Sequence, residues 1–140
     1  MTTKLLGRAS AKVKHHPDEN IGANIASGSY PSDAMLILPC SMGTLAGIAH
    51  GMASSLIERA ADVMLKERRP LVLCVRETPF NRIHLRNMTL AAEAGATIYP
   101  VMPTLYNRPQ TTADMTRNFV HRVLSHIGLP QQDAYRWTGE

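Results

Sequence analysis

The sequence of 140 residues lacks several features that define whole classes of protein. It has two cysteines and no Cys-x-x-Cys motif, which excludes a zinc site built from cysteines and favours buried free thiols in a reducing compartment. Aromatic residues make up only 5%, so a stacking surface for nucleic acid is not expected. No apolar run approaches the roughly 20 residues of a membrane-spanning helix, and the basic N-terminus has no secretory apolar segment. We therefore expect a soluble cytoplasmic protein that binds neither membrane nor nucleic acid.

Positive charge is the main compositional bias that is present. Fifteen Lys and Arg residues oppose eleven Asp and Glu residues, giving a net charge of +4. Eleven of these cations are Arg, and ten of the eleven lie at Arg59 or later. The guanidinium group is planar and always charged, and it matches phosphate and carboxylate groups geometrically. The composition therefore favours an anionic ligand.

Apolar runs at residues 34–39, 71–75 and 96–99 predict three strands. Helical patterns separate and follow them, in the order strand–helix–helix–strand–helix–strand–helix, after a short helical turn within residues 21–26. This alternation predicts a parallel sheet covered by helices, with the first two strands buried on both faces. We assign residues 1–20 to an irregular polar segment and 21–140 to one α/β domain. Sheets usually have about five strands, and residues 1–20 do not supply the further strand that this number would require.

Short motifs predict where several helices begin and end. Ser55-x-x-Glu58 has the spacing of a capping box, and Thr111-x-x-Asp114 predicts a cap for the last helix. Gly95 is a suitable residue for the position just after a helix, where a left-handed backbone is common.

Three loops leave the carboxyl ends of the predicted strands, where open parallel sheets bind ligands. The first, with Ser41 and Thr44, either binds an anion or polar ring at a helix N-terminus or simply caps the helix. In the second, Arg76 and Glu77 either face a ligand or form a structural ion pair. Glu77 would be suited to proton transfer if burial raised its pKa. The third loop, residues 100–109, carries Tyr106.

Other polar side chains have two interpretations each. Arg59 and Lys66 lie two helical turns apart on one face, which is either a binding face or a solvated charged surface. Tyr106 and Arg122 form either a phosphate clamp or a packed tyrosine with a surface arginine. The turn that begins at Ser27 is either a plain loop or a cradle for an anion.

Taken together, several motifs resemble those of the flavin prenyltransferases of the UbiX type, over about residues 21–137. The motifs are Pro39-Cys40-Ser41-Met42-x-Thr44, Arg59-Ala60-Ala61-Asp62-Val63, Leu65-Lys66-Glu67-Arg68-Arg69-Pro70-Leu71-Val72-Leu73, Arg76-Glu77-Thr78-Pro79, His84-Leu85-x-Asn87-Met88 and Tyr106-Asn107-Arg108-Pro109. The resemblance implies a flavodoxin-like Rossmann three-layer sandwich with a parallel sheet. It also implies homo-oligomers, trimers assembled into a dodecamer, with sites at subunit interfaces.

The resemblance implies a specific reaction as well. Members of this family join a dimethylallyl group from dimethylallyl monophosphate to reduced FMN, with new bonds at flavin N5 and C6 and no metal. The prenylated FMN is then passed to a decarboxylase of the UbiD type, which is the partner expected here.

Residue by residue, the resemblance divides the candidate site into three groups. The FMN-binding residues are Ser41, Met42, Gly43, Thr44 and Arg76. The residues around the dimethylallyl phosphate are Ser27, Arg59, Lys66, Tyr106 and Arg122. The residues for proton handling are Lys66 and Glu77.

Two of the places where the sequence departs from the family pattern concern the residues expected to hold FMN. It has neither the family's first strand nor the Gly-Ala-Ser-Gly-Ala-like loop that follows it, so we expect an N-terminally truncated fold. Gly43 stands where many relatives have Lys. Two alternatives follow: a flavin-binding or oligomer-forming module that is inactive without that loop, and a flavin-dependent decarboxylase of the related cysteine decarboxylase group. The Pro39-x-Ser41-x-x-Thr44 turn is loosely compatible with the second.

Overall fold

Three parallel strands form the centre of the fold in the computed structural model, which describes residues 10–139. They are β1 (Met35–Cys40), β2 (Leu71–Val75) and β3 (Thr97–Ile98), in the spatial order β1-β2-β3. The register shifts within β1, so that Cys40 pairs with Val75 at the carboxyl edge of the sheet. The predicted parallel sheet is therefore confirmed, and β1 and β3 are its edges within the described residues.

Four α-helices accompany the sheet in the predicted order. They are α1 (Met42–Ala49), α2 (Leu56–Lys66), α3 (Arg82–Glu93) and α4 (Thr112–His126), preceded by a short 3-10 helix at Asn24–Ala26. Residues 10–20 contain turns but no helix or strand. Within the described part of the chain, no helix is both long and apolar enough to cross a membrane.

The two faces of β2 are buried by different helices, which gives the fold three layers. Leu71 and Leu73 pack in one cluster with Leu45 and other side chains of α1, α2 and α3. On the opposite face, Val72 packs with Val123 of α4. All five residues of β2 are buried, which explains why this strand is a continuous apolar run. The three-layer sandwich is confirmed.

The expectation that β1 would be buried on both faces is wrong at Leu38 and Pro39. Leu38 is 41% exposed, and Pro39 is also exposed. The physical reason is the position of β1 in the sheet. It has β2 on one side only, and the cluster on the α4 face reaches Leu36 of β1 but does not include Leu38.

Both cysteines lie in the core as free thiols, as expected. Cys40 packs on the α1 face and Cys74 on the α4 face. Burial raises the pKa of each thiol from 9.0 to about 11, and the neighbouring Cys74 adds to the shift at Cys40. Both groups are therefore protonated and unreactive at neutral pH.

The helix-capping predictions are confirmed in part. At α4, Thr111 N donates to Asp114 Oδ2 (3.0 Å) and Asp114 N donates to Thr111 Oγ1 (3.1 Å), which is a complete capping box. At α2, Glu58 N donates to Ser55 Oγ (3.3 Å), but the Glu58 carboxylate accepts from Ser54 N (2.9 Å). The reciprocal half of that box is therefore shifted by one residue. Gly95 follows α3 with a φ of 111°, the left-handed backbone predicted for it.

Candidate functional site

Ser41 and Arg76 emerge side by side at the carboxyl edge of the sheet. Each directly follows one member of the Cys40–Val75 pair that ends the β1–β2 ladder. Ser41 is also the N-cap of α1, and its Oγ accepts from Thr44 N (3.1 Å) and lies 3.0 Å from Thr44 Oγ1. The register thus brings the first two loops of the predicted site together.

The N-terminus of α1 keeps hydrogen-bonding capacity beyond this cap. Thr44 N is taken by the Ser41 hydroxyl and Leu45 N by the Ser41 carbonyl. Helix geometry leaves the amides of Met42 and Gly43 for a ligand. A Cβ placed on Gly43 would meet only Ser41 Oγ, at 3.7 Å, so this position has room for a side chain. Ser41 therefore serves as a cap while the turn still offers free donors, which suits an anion or a polar ring.

Arg76 and Glu77 are both exposed, and they do not pair with each other in the described structure. Glu77 Oε1 accepts from Thr78 N (2.9 Å), the next residue along the chain. The structural ion pair considered as an alternative is therefore not seen within residues 10–139. The burial on which the proton-transfer role of Glu77 depends is not seen in the single chain.

A cavity of about 530 Å³ lies between the loop after β3, helix α4 and the end of the chain. Tyr106 and Arg122 both line it, so the structure brings this predicted pair to one space. Tyr99 lies in the same wall. Burial raises the pKa of the Tyr99 phenol, and the nearby Arg122 guanidinium opposes that shift. The cavity thus combines aromatic surface with at least one positive charge.

The sequence did not predict that the end of the chain reaches this cavity. Tyr106 has its ring centroid 5.7 Å from that of Tyr135 and 6.2 Å from that of Trp137, the latter edge-on. Both distances are typical of favourable aromatic pairs. Trp137 is the sole tryptophan, and its contact with Tyr106 across 31 positions leaves no local pattern in the sequence.

The remaining predicted residues gather around the loop that follows the 3-10 helix. Ser27 Oγ lies 2.9 Å from Ser29 Oγ. Lys66 pairs with Glu67, and a Cβ on Gly28 would come within 2.6 Å of Lys66 Nζ. The ammonium of Lys66 therefore lies directly against this loop.

Two arginines of the same region anchor the loop. Arg59 Nε donates to the Ala26 carbonyl (3.2 Å), while its Nη1 pairs with Asp62 at 2.9 Å. Arg69, which the sequence analysis did not single out, donates to the carbonyls of Gly28 and Tyr30, both at 2.8 Å. The interpretation of Arg59 as part of a solvated charged surface is thus partly supported, since Arg59 pairs with Asp62 of its own helix.

Lys66 and Arg76 lie toward opposite ends of β2. Lys66 ends α2 just before β2 begins, whereas Arg76 follows the last residue of β2. The five residues of β2 span about 16 Å at a rise of roughly 3.3 Å each. A single chain therefore does not bring Lys66 beside Arg76, and their shared site stays a prediction.

Comparison with known proteins identifies relatives over most of the chain. A family described as Flavoprotein matches residues 7–127. The flavin prenyltransferase UbiX of Salmonella typhimurium is 55% identical over 126 residues, which is 89% of this chain and 67% of that protein. The chain spans about two thirds of the length of the curated relatives it matches, from 65% to 67% for the first few.

Two solved structures share the fold closely. The dodecameric FMN-dependent UbiX-like decarboxylase from Escherichia coli O157:H7 has a TM-score of 0.85 at 48% identity, over 89% of this chain and 67% of that one. AnUbiX (PadA1), solved in complex with FMN and dimethylallyl pyrophosphate, has a TM-score of 0.87 at 46% identity, over 89% and 66%.

Proposed function

Because this chain belongs to the family of UbiX-type flavin prenyltransferases, we propose that it transfers a dimethylallyl group from dimethylallyl phosphate to reduced FMN. The observation that carries this proposal is the cavity in which Tyr106 and Arg122 line one space among aromatic side chains. A related structure, AnUbiX, holds both FMN and a dimethylallyl ester, which supports the same pair of ligands here.

The FMN-binding role falls to the carboxyl edge of the sheet. The hydroxyls of Ser41 and Thr44, the amides of Met42 and Gly43 and the positive charge of Arg76 fit a flavin, whose ring edge and phosphate are rich in acceptors. Reduced FMN supplies the electron-rich ring that is alkylated, at N5 and C6 in this family.

Tyr106 and Arg122 are assigned to the phosphate of the second substrate. As the bond between the allylic carbon and oxygen breaks, its electron pair leaves with the phosphate, where negative charge increases. A phenol hydrogen bond and a guanidinium stabilise that charge, so we propose no metal in the reaction. The aromatic side chains of the cavity offer apolar ring surface against which the allylic fragment can pack.

Ser27, Arg59 and Lys66 are assigned to the same substrate from a second copy of the chain. The separation of Lys66 from Arg76 within one chain supports this, as does the dodecameric assembly of the E. coli relative. We propose a homo-oligomer built of trimers, in which Lys66 and Glu77 handle protons around the new bonds. The product, prenylated FMN, would be passed to a UbiD-type decarboxylase.

The test is anaerobic incubation of the full chain with reduced FMN and either dimethylallyl monophosphate or the pyrophosphate. Mass spectrometry should detect a flavin heavier by one prenyl group with the monophosphate. Unmodified FMN from this chain, with the Salmonella typhimurium relative active in parallel, would reject the proposal.

A second candidate is a flavin-binding or oligomer-forming module without turnover. The observation that favours it is the separation of Lys66 from Arg76 within one chain, which leaves the flavin-binding edge without the lysine assigned to the second substrate. FMN titration, followed by flavin fluorescence, separates the two candidates. Saturable binding without a prenylated product supports the module, and detection of the product removes it.

A further inference from the structure

A segment near the end of the chain lines the cavity without forming a helix or strand. Residues 130–137, which we name the C-terminal segment, contribute Tyr135 and Trp137 to its lining. Both rings contact Tyr106 of the loop after β3. A segment without backbone ladders keeps its place only through side-chain contacts, so each contact has a large effect on its position.

One further contact ties this segment to helix α4. His121 has a side chain only 14% exposed, and its Nδ1 is buried with no hydrogen-bond partner among the described residues. Asp133 Oδ1, on a side chain 75% exposed, lies 3.7 Å from that nitrogen. Such a buried nitrogen is unfavourable unless it has a polar partner, and the Asp133 carboxylate is within ion-pair reach.

The cationic side chains near this pair have other contacts or face the cavity. Arg117, one turn earlier on α4, is already paired with Asp114 at 3.1 Å. Arg122 follows His121 directly and lines the cavity, together with His126 and Arg136. His121 thus lies on the same helix as the cation assigned to the phosphate, and Asp133 lies on the segment that carries the rings around Tyr106.

We propose that His121 and Asp133 form a latch that holds the C-terminal segment over the cavity, and that both are positioning residues for Tyr106. The latch fixes the middle of the segment to helix α4, so that Tyr135 and Trp137 meet the Tyr106 ring and complete the cavity wall. Its effect on turnover rests on the proposed function, but the docking of the segment does not.

Fluorescence of Trp137 tests the latch directly, because this is the sole tryptophan in the chain. Asp133→Asn removes the charge at an exposed position and should leave the core intact. We expect acrylamide quenching of Trp137 to increase by less than twofold, because this side chain is already 64% exposed in the docked segment. The matched control is Asp33→Asn, the same change in an exposed residue before β1.

His121→Gln should increase quenching to the same extent, and the double variant should add little, since both changes break one contact. Circular dichroism separates loss of the latch from loss of the fold. Unchanged quenching in Asp133→Asn, or an equal increase in Asp33→Asn, would overturn the proposal whatever the behaviour of His121→Gln.

Kinetics then separate the latch from the proposed function. With an active chain, Asp133→Asn should raise KM for dimethylallyl phosphate several-fold while FMN affinity stays unchanged. A parallel loss of FMN affinity would contradict the positioning role. If the unmodified chain shows no turnover, the proposed function fails while the fluorescence result still decides the latch.

Discussion

His50 and Asn87 join helix α1 to helix α3 through one hydrogen bond, in which His50 Nε2 lies 3.1 Å from Asn87 Oδ1. Asn87 is the buried polar residue of the described structure, only 3% exposed, whereas His50 is exposed. The bond therefore satisfies a buried acceptor with a donor that water could otherwise reach.

His50→Ala should lower the free energy of unfolding by about 1–3 kcal/mol, because it leaves the buried Asn87 amide without its partner. Adding Asn87→Leu should recover part of that loss, since the double variant removes both polar groups. Urea denaturation measures all three proteins. A double variant less stable than His50→Ala alone would contradict this explanation.

Thr111→Ala should destabilise the fold by about 1 kcal/mol at neutral pH, because it removes half of the α4 capping box. The side-chain hydrogen bond from Thr111 is the largest cause that holds the pKa of Asp114 below its ordinary 3.8. A lowered carboxyl pKa stabilises the fold above the unfolded-state pKa, and this contribution is lost as the pH falls through the folded-state value.

The difference in stability between Thr111→Ala and the parent should therefore shrink in acid. Thermal unfolding at neutral pH and well below pH 3.8 checks this, with Thr112→Ala as the matched control at the next position. If the difference in stability stays constant or increases in acid, the hydrogen bond to Asp114 does not account for the effect of Thr111→Ala.

Arg76→Ala should weaken FMN binding about tenfold to a hundredfold, the effect of losing one charge-assisted hydrogen bond. Titration by flavin fluorescence measures the dissociation constant. Arg86→Ala, at an exposed position on α3, is the control and should bind FMN normally. Equal affinities for the two variants would remove Arg76 from the flavin site.

Tyr106→Phe should keep its ring contacts with Tyr135 and Trp137 while losing the phenol hydroxyl. We expect prenyl transfer to slow about a hundredfold to a thousandfold, the usual cost of removing one donor to a developing anion. FMN affinity should not change. Tyr30→Phe, in the loop before β1, is the matched control, and an identical rate loss there would point to a general effect.

Mixing two inactive variants tests whether the site is shared between subunits. Lys66→Ala and Arg76→Ala should each abolish most transfer, yet co-refolded mixtures should regain part of it, because some interfaces then combine an intact Lys66 with an intact Arg76. Analytical ultracentrifugation confirms that mixed oligomers form. Mixed oligomers with no recovered activity would indicate that both residues act within one chain.

Local pattern was sufficient to predict most of the fold. The bounds of β2 match its apolar run. Because the strand is buried on both faces, every one of its positions is apolar, and the run begins and ends where the strand does. Gly95 ends α3 as predicted, since the left-handed backbone there favours glycine. The exposure of Leu38 was not predictable, because it depends on which strand lies beside β1 rather than on the residues of β1.

The candidate site also has features that the sequence predicts and features that depend on tertiary packing. The adjacency of Ser41 and Arg76 follows from the rule that parallel strands end at one edge, so sequence alone predicts it. The contacts of Tyr106 with Trp137, and the Asp133–His121 pair, join distant residues through an irregular segment. Such contacts depend on packing geometry that no periodicity encodes.

The position of β1 also affects how this protein can be handled. In the described structure, no strand pairs with the backbone amides and carbonyls on one side of this six-residue strand, and Leu38 adds an apolar side chain beside them. Such an edge is a template on which further strands can add. Association through this edge grows with concentration, so measurements of oligomer size need a dilution series that separates it from ordered assembly.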